Sequence, residues 1–161
     1  GGGEDKPAGT ERPLVSYAST DSEVILVQDG PVNAASLHDR VRITVDKNNV
    51  TFEREKGYDG SVIDTKIFPN SQNAFEAFLK SLQRAGFTKG NTDKDARDER
   101  GFCPQGNRYV MELKENGNSI QRFWATSCGG PKTYEGEPGL TIELFESQVP
   151  DFSELVDDTG L

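Results

Sequence analysis

The sequence predicts an α+β domain: an antiparallel sheet of about six to seven strands built from hairpins, with one main helix packed on one face. Three observations carry that expectation. VRITVDKNNVTFERE alternates apolar and polar residues on both sides of a polar turn, which is hairpin patterning. A second hairpin pattern, RYVMELKENGNSIQRFW, is centred on Asn116-Gly117. Between them, one segment places apolar residues at helical spacing, Phe75, Phe78, Leu79 and Leu82 with Ala74.

Taken in order, Gly1 to Pro13 (GGGEDKPAGTERP) holds no core-forming residue except Ala8 and reads as a disordered linker or tether. Leu14 to Ala18 and Glu23 to Val27 are short apolar runs with β-branched residues and read as strands. Gln28-Asp29-Gly30-Pro31 is turn chemistry. In the first hairpin Val41, Ile43, Val45, Val50 and Phe52 form the apolar face, with Arg42 and Thr44 on the wet one. Ser61 to Phe68 (SVIDTKIF) reads as a further strand.

Asn70 or Ser71 is the expected N-cap of the helix, and Gly86 its stop. The face carrying Gln72, Glu76, Lys80, Gln83 and Arg84 is a solvated surface. Lys89 to Arg100 (KGNTDKDARDER) is dominated by charge and reads as a mobile loop. Leu140 to Phe145 (LTIELF) reads as a last strand and 153–161 as an acidic tail, so that a single domain spans 14–152.

In the second hairpin, closing the turn at Asn116-Gly117 sets Glu115 against Asn118. Counting outward then pairs Leu113 with Ile120, Met111 with Arg122, Val110 with Phe123 and Tyr109 with Trp124. Both faces carry bulk, which places this hairpin at the centre of the sheet, with Trp124 in or near the core. The same counting brings Cys103 and Cys128, the only two cysteines, close together at the open end. A structural disulfide is favoured over a metal site or a redox pair, because the single histidine is distant and no C-x-x-C exists. A disulfide points to an oxidising compartment.

The composition narrows function by exclusion. Of 161 residues, 33% are hydrophobic and 28% charged, and the net charge is −9. An acidic chain without a basic cluster repels a phosphate backbone, so nucleic acid is not an expected partner. No apolar run approaches the roughly 20 residues that span a bilayer. Membrane association is expected only through a lipid anchor N-terminal to Gly1. The Gly-rich start looks like the tether that follows the lipidated cysteine of bacterial lipoproteins, with a vector-derived leader as the alternative.

No motif selects a reaction. His38, the only histidine, sits beside Asp39 without a G-x-S-x-G elbow and reads as a surface loop residue. Asn91, Asp93 and Asp95 match the first positions of a calcium loop, but Ala96 and Phe102 stand where Gly and Glu belong. That segment reads as a solvated charge run, with weak cation binding left open. Trp124, Phe123, Tyr109, Tyr134 and Phe145 read as core before recognition surface. No catalytic residue, cofactor or metal is expected.

Two resemblances add to this. Cys103, Tyr109, the segment Arg122-Phe123-Trp124, Cys128 and the ending Leu144-Phe145-Glu146-Ser147-Gln148-Val149-Pro150-Asp151-Phe152 resemble uncharacterised secreted or lipoprotein domains of actinobacteria. This resemblance covers about the final third and implies an extracytoplasmic location and the disulfide, and no activity. The layout of helix, Cys, hairpin and Cys is also similar to that of the Streptomyces subtilisin-inhibitor family, whose other disulfide is absent here. It would put a reactive loop near Pro104 to Arg108.

The leading expectation is therefore a non-enzymatic, secreted or surface-tethered binding or scaffolding domain whose partner is an extracellular or cell-surface protein. Pro104, Gln105, Asn107 and Arg108 form the candidate partner loop. A protease inhibitor and a carboxylate-based extracellular hydrolase are the alternatives.

Overall fold

The computed structural model describes residues 12–159 and 161. The expected tether, apart from Arg12 and Pro13, lies outside them. Six antiparallel strands form one sheet: β1 (Ser22–Asp29), β2 (Asp39–Val45), β3 (Asn49–Lys56), β4 (Ser61–Pro69), β5 (Arg108–Glu115) and β6 (Asn118–Thr126). Their order is β4-β3-β2-β1-β5-β6, so the chain builds outward from β1 to one edge, then returns to build the other. The expected α+β architecture is present, with α1 (Gln72–Arg84) packed on one face.

β2 shows why this face is the core. Its residues alternate strictly, Val41, Ile43 and Val45 buried and Arg40, Arg42 and Thr44 partly exposed, as period-two pleating requires. Val24 and Leu26 of β1, Phe52 of β3 and Met111 and Leu113 of β5 join the same layer. The helix contributes Phe75, Phe78, Leu79 and Leu82; Ala74 is exposed. Ser71 is the N-cap, its hydroxyl accepting from the Ala74 amide at 3.1 Å.

Two expected strands are helical. Leu14–Ser19 is a 3₁₀ helix following Pro13, and it buries Leu14, Tyr17 and Ala18 against α1. That spacing of three and four matches a helical turn and prevails over the β-branched residue types of the segment. Pro138–Glu146 is α2, with Pro138 in its first turn. Thr141, Phe145 and Val149 recur every fourth residue and are buried, which decides the period against the β-branched content of LTIELF. The C-terminal segment also folds back: α3 (Phe152–Leu155) precedes buried Val156, and Asp158 accepts from Arg54 Nη1 at 2.8 Å.

The Asn116-Gly117 turn forms as expected, with both residues at positive φ (52° and 80°). Glu115 faces Asn118, but a bulge between Leu113 and Lys114 leaves Ile120 unpaired and shifts the remaining pairs by one. Leu113 faces Gln121, Met111 Phe123, Val110 Trp124 and Tyr109 Ala125. The expected pairing would have put Arg122 beside Met111 in the main core. The bulge instead sends Phe123 there and turns Trp124 to the opposite face, because a one-residue slip exchanges faces.

That opposite face has its own small core: Ile25 and Val27 of β1, Val110, Trp124 and Ala96, with Phe102 packed against them. The charged segment expected as a mobile loop supplies the cover. Lys94–Ala96 forms a short 3₁₀ helix, Ala96 is buried, and its carbonyl accepts from the Trp124 indole at 2.6 Å. Charge density hid the one small apolar residue that fits beneath the indole. β6 is thus an edge strand of the sheet and not its centre.

Replacing Trp124 with Phe leaves the Ala96 carbonyl unpaired and opens space beneath Phe102. The expected loss of unfolding free energy is about 2 kcal/mol, read by urea unfolding followed by circular dichroism; a loss below about 0.5 kcal/mol would contradict this packing.

Candidate functional site

Cys103 and Cys128 form the expected disulfide, with Cα atoms 5.7 Å apart. It closes a loop of separation 25, for which chain entropy supplies about 3.5 kcal/mol. Gly106 lies inside this corner. A Cβ there would stand 2.6 Å from both Cys103 Sγ and Ser127 Oγ, so only glycine fits. The Asn107 amide donates to Ser127 Oγ at 2.9 Å, and the Val32 amide to the Pro104 carbonyl at 2.8 Å.

The candidate partner loop divides at this corner. Pro104 and Gln105 are exposed and Asn107 is half-buried. Arg108 is only 4% exposed and donates to Asp29 Oδ2 at 2.9 Å. It is the first residue of β5, directly opposite Asp29 in register, and this fixes its guanidinium inward. Arg108 is therefore structural and unavailable to a partner.

His38 is likewise not a surface residue; it is 1% exposed. Its Nε2 lies 2.7 Å from Asp29 Oδ1 and its Nδ1 2.9 Å from the Pro31 carbonyl, while Tyr58 stacks on the ring at 4.2 Å. Both ring nitrogens are engaged by fixed acceptors, leaving neither free to activate a nucleophile. Asp29 thus ties the 30–38 loop and the start of β5 to the end of β1. Sequence reasoning missed it because its partners lie 9 and 79 residues away.

A cleft of about 290 Å³ runs beside β6, lined in part by Asn91, Asp93, Arg97, Gln121 and Arg122. Gln121 Nε2 donates to the Phe87 carbonyl at 2.7 Å, and its buried Oε1 has no partner among the described residues. Behind the cleft, Arg122 Nη2 donates to Glu99 Oε2 at 2.8 Å. Burial pushes the Glu99 carboxyl up, but the bond and charge of Arg122 outweigh it and hold the group below its ordinary value of 4.5. Among the described residues no cluster of three or more His, Cys, Asp or Glu side chains is arranged to hold a metal ion.

The two edges of the sheet differ. Along β6, the Trp124 carbonyl accepts from the Thr133 and Tyr134 amides at 3.1 and 2.9 Å, and the Trp124 amide donates to Thr133 Oγ1 at 2.9 Å. At the opposite edge, β4 pairs only with β3 among the described residues. Seven of its nine residues are exposed, including Val62, Ile63 and Ile67, the last at 62%. A long edge whose outward amides and carbonyls have no strand partner among the described residues, and whose aliphatic side chains are exposed, is a template for another strand.

Compared with protein-family models, curated proteins and solved structures, the chain finds no match. Geometry alone therefore ranks the surfaces. The disulfide corner and the Asp29 network are internal fastenings; among the described residues β4 is the edge strand with no outside backbone partner along its length.

The Glu99–Arg122 pair gives a pH test. A depressed carboxyl value stabilises the fold above the unfolded value near 4.5 and is lost as pH falls through the folded value. Glu99→Gln is expected to cost about 1 kcal/mol at pH 7, with the difference closing as the pH drops below 4.5. A difference constant from pH 7 to pH 3 would contradict the pairing.

Proposed function

We propose that this protein is a non-enzymatic, extracytoplasmic binding or scaffolding domain, secreted or tethered at the cell surface, that docks through the open edge of β4. The observation that carries the reading is the contrast between the edges: β6 is bonded at Trp124 to 133–134, and β4 pairs only with β3 among the described residues. Strand addition at such an edge takes its affinity from main-chain hydrogen bonds and its selectivity from alternate side chains. The disulfide supports an oxidising compartment. Among the described residues no helix is long and apolar enough to cross a membrane.

The outer face next to β4 suits a scaffold. Arg42 and Thr44 of β2 and Thr51 and Glu53 of β3 are partly exposed there, polar and of mixed sign, so the aliphatic contacts are concentrated on the edge strand itself.

A photo-crosslinking residue placed at Ile67 tests this against the same residue at Leu37, which is equally exposed at 62%. On the surface of the producing cells, discrete adducts are expected from position 67 and few from position 37. Equal labelling at both positions would contradict β4 as the docking edge.

A further inference from the structure

We propose that the strand received by β4 is β4 of a second copy of this chain, paired antiparallel about a two-fold axis at Thr65. The inference rests on the reading of β4 as a docking edge and names its occupant. What points to it is the self-complementarity of the strand, SVIDTKIFP. With Thr65 opposite itself, Asp64 faces Lys66 of the partner subunit, and Ile63 comes opposite Ile67 of the partner subunit. Each pairing occurs twice, as an isologous interface demands.

The register is specified. Facing residues of an antiparallel pair must lie on one side of the sheet, so the axis can move only from one residue to another. Centred on Asp64, it would bring that carboxylate against its own copy. Centred on Lys66, it would do the same with two ammonium groups and set Asp64 against Phe68 of the partner subunit. Only the axis at Thr65 pairs opposite charges and groups aliphatic with apolar side chains.

The geometry of the edge permits the approach. Ser61, Val62, Ile63, Thr65, Lys66, Ile67 and Pro69 are all exposed, and Pro69 stands at the end of the strand where no ladder bond is needed. A bulge between Arg54 and Glu55 makes Ile63 the extra residue of β4, so the regular ladder runs from Asp64 to Pro69 and the pairing about Thr65 is carried by Asp64 to Ile67. Charged residues on an edge commonly block pairing. Here the same two charges complement each other across the axis and would discriminate for this partner against other strands. The joined sheets would run continuously through both copies, with the β6 edges outermost.

Sedimentation velocity on the purified chain, into the hundreds of micromolar, is the test. The wild type is expected to show a monomer–dimer equilibrium. Lys66→Asp sets Asp64 against aspartate at both pairs, and Asp64→Lys sets Lys66 against lysine; each is expected to weaken dimerisation about tenfold or more. Mixing the two variants restores opposite charges at every pair and is expected to yield a heterodimer at wild-type strength. Lys66→Arg should leave dimerisation unchanged. Because Asp64 also faces Arg54, a misfolded Asp64→Lys leaves the Lys66→Asp and Lys66→Arg comparison to decide. A wild type that stays monomeric overturns the proposal, as does a dimer that neither charge reversal weakens. If the chain is monomeric while position 67 still crosslinks to another protein on cells, self-pairing falls and the docking edge stands; without such adducts both fall.

Discussion

The constraint on which the rest of this structure depends is the two-sided burial of β1. Val24 and Leu26 face the layer shared with α1, while Ile25 and Val27 face the smaller core of Val110, Trp124 and Ala96. A strand buried on both faces needs cover on both. The helices supply one, and the other comes from the charged stretch before the first cysteine. That second cover reaches over β1, β5 and β6 and stops there, so Arg42 and Thr44 of β2 and Thr51 and Glu53 of β3 are only partly covered. Past the second cysteine, 133–134 bonds to the β6 edge at Trp124. The asymmetry between a finished half and an unfinished half follows from where that cover lies.

Features that depend on neighbours in the chain were legible in the sequence. The Val41 to Phe52 hairpin, the Asn116-Gly117 turn and the Ser71 cap are set by residues within a few positions of one another. The disulfide was legible because a tight turn carries its register outward far enough to bring Cys103 and Cys128 together. The bulge at Ile120 was not, since it answers to the contest between two cores for Phe123 and Trp124. Leu14 to Ala18 and Leu140 to Phe145 failed for another reason. Short apolar runs fit either period, and in both cases tertiary packing at intervals of three or four chose the helix.

The site residues were read least well, for a related reason. Asp29 gathers His38 and Arg108 into one buried cluster, and nothing local announces that a turn aspartate will do so. Once it does, the loop expected to meet a partner loses its arginine to the interior and keeps only Pro104 and Gln105 exposed. The palindromic charge and aliphatic pattern of SVIDTKIFP was present in the sequence throughout. It has a consequence only on an edge strand, because the same pattern in a central strand would face two different neighbours.

The central claim is that β4 holds bonding capacity the fold itself leaves unused. Native-state hydrogen exchange, followed amide by amide at low and at high protein concentration, addresses it most directly. The account predicts that amides of β1 and β5 exchange slowly at both concentrations. In β4, those that do not donate to β3 should exchange quickly in the dilute chain and become protected as concentration rises, with no change along β6. Uniform behaviour of the β4 amides at every concentration, or protection already complete in the dilute chain, would contradict it.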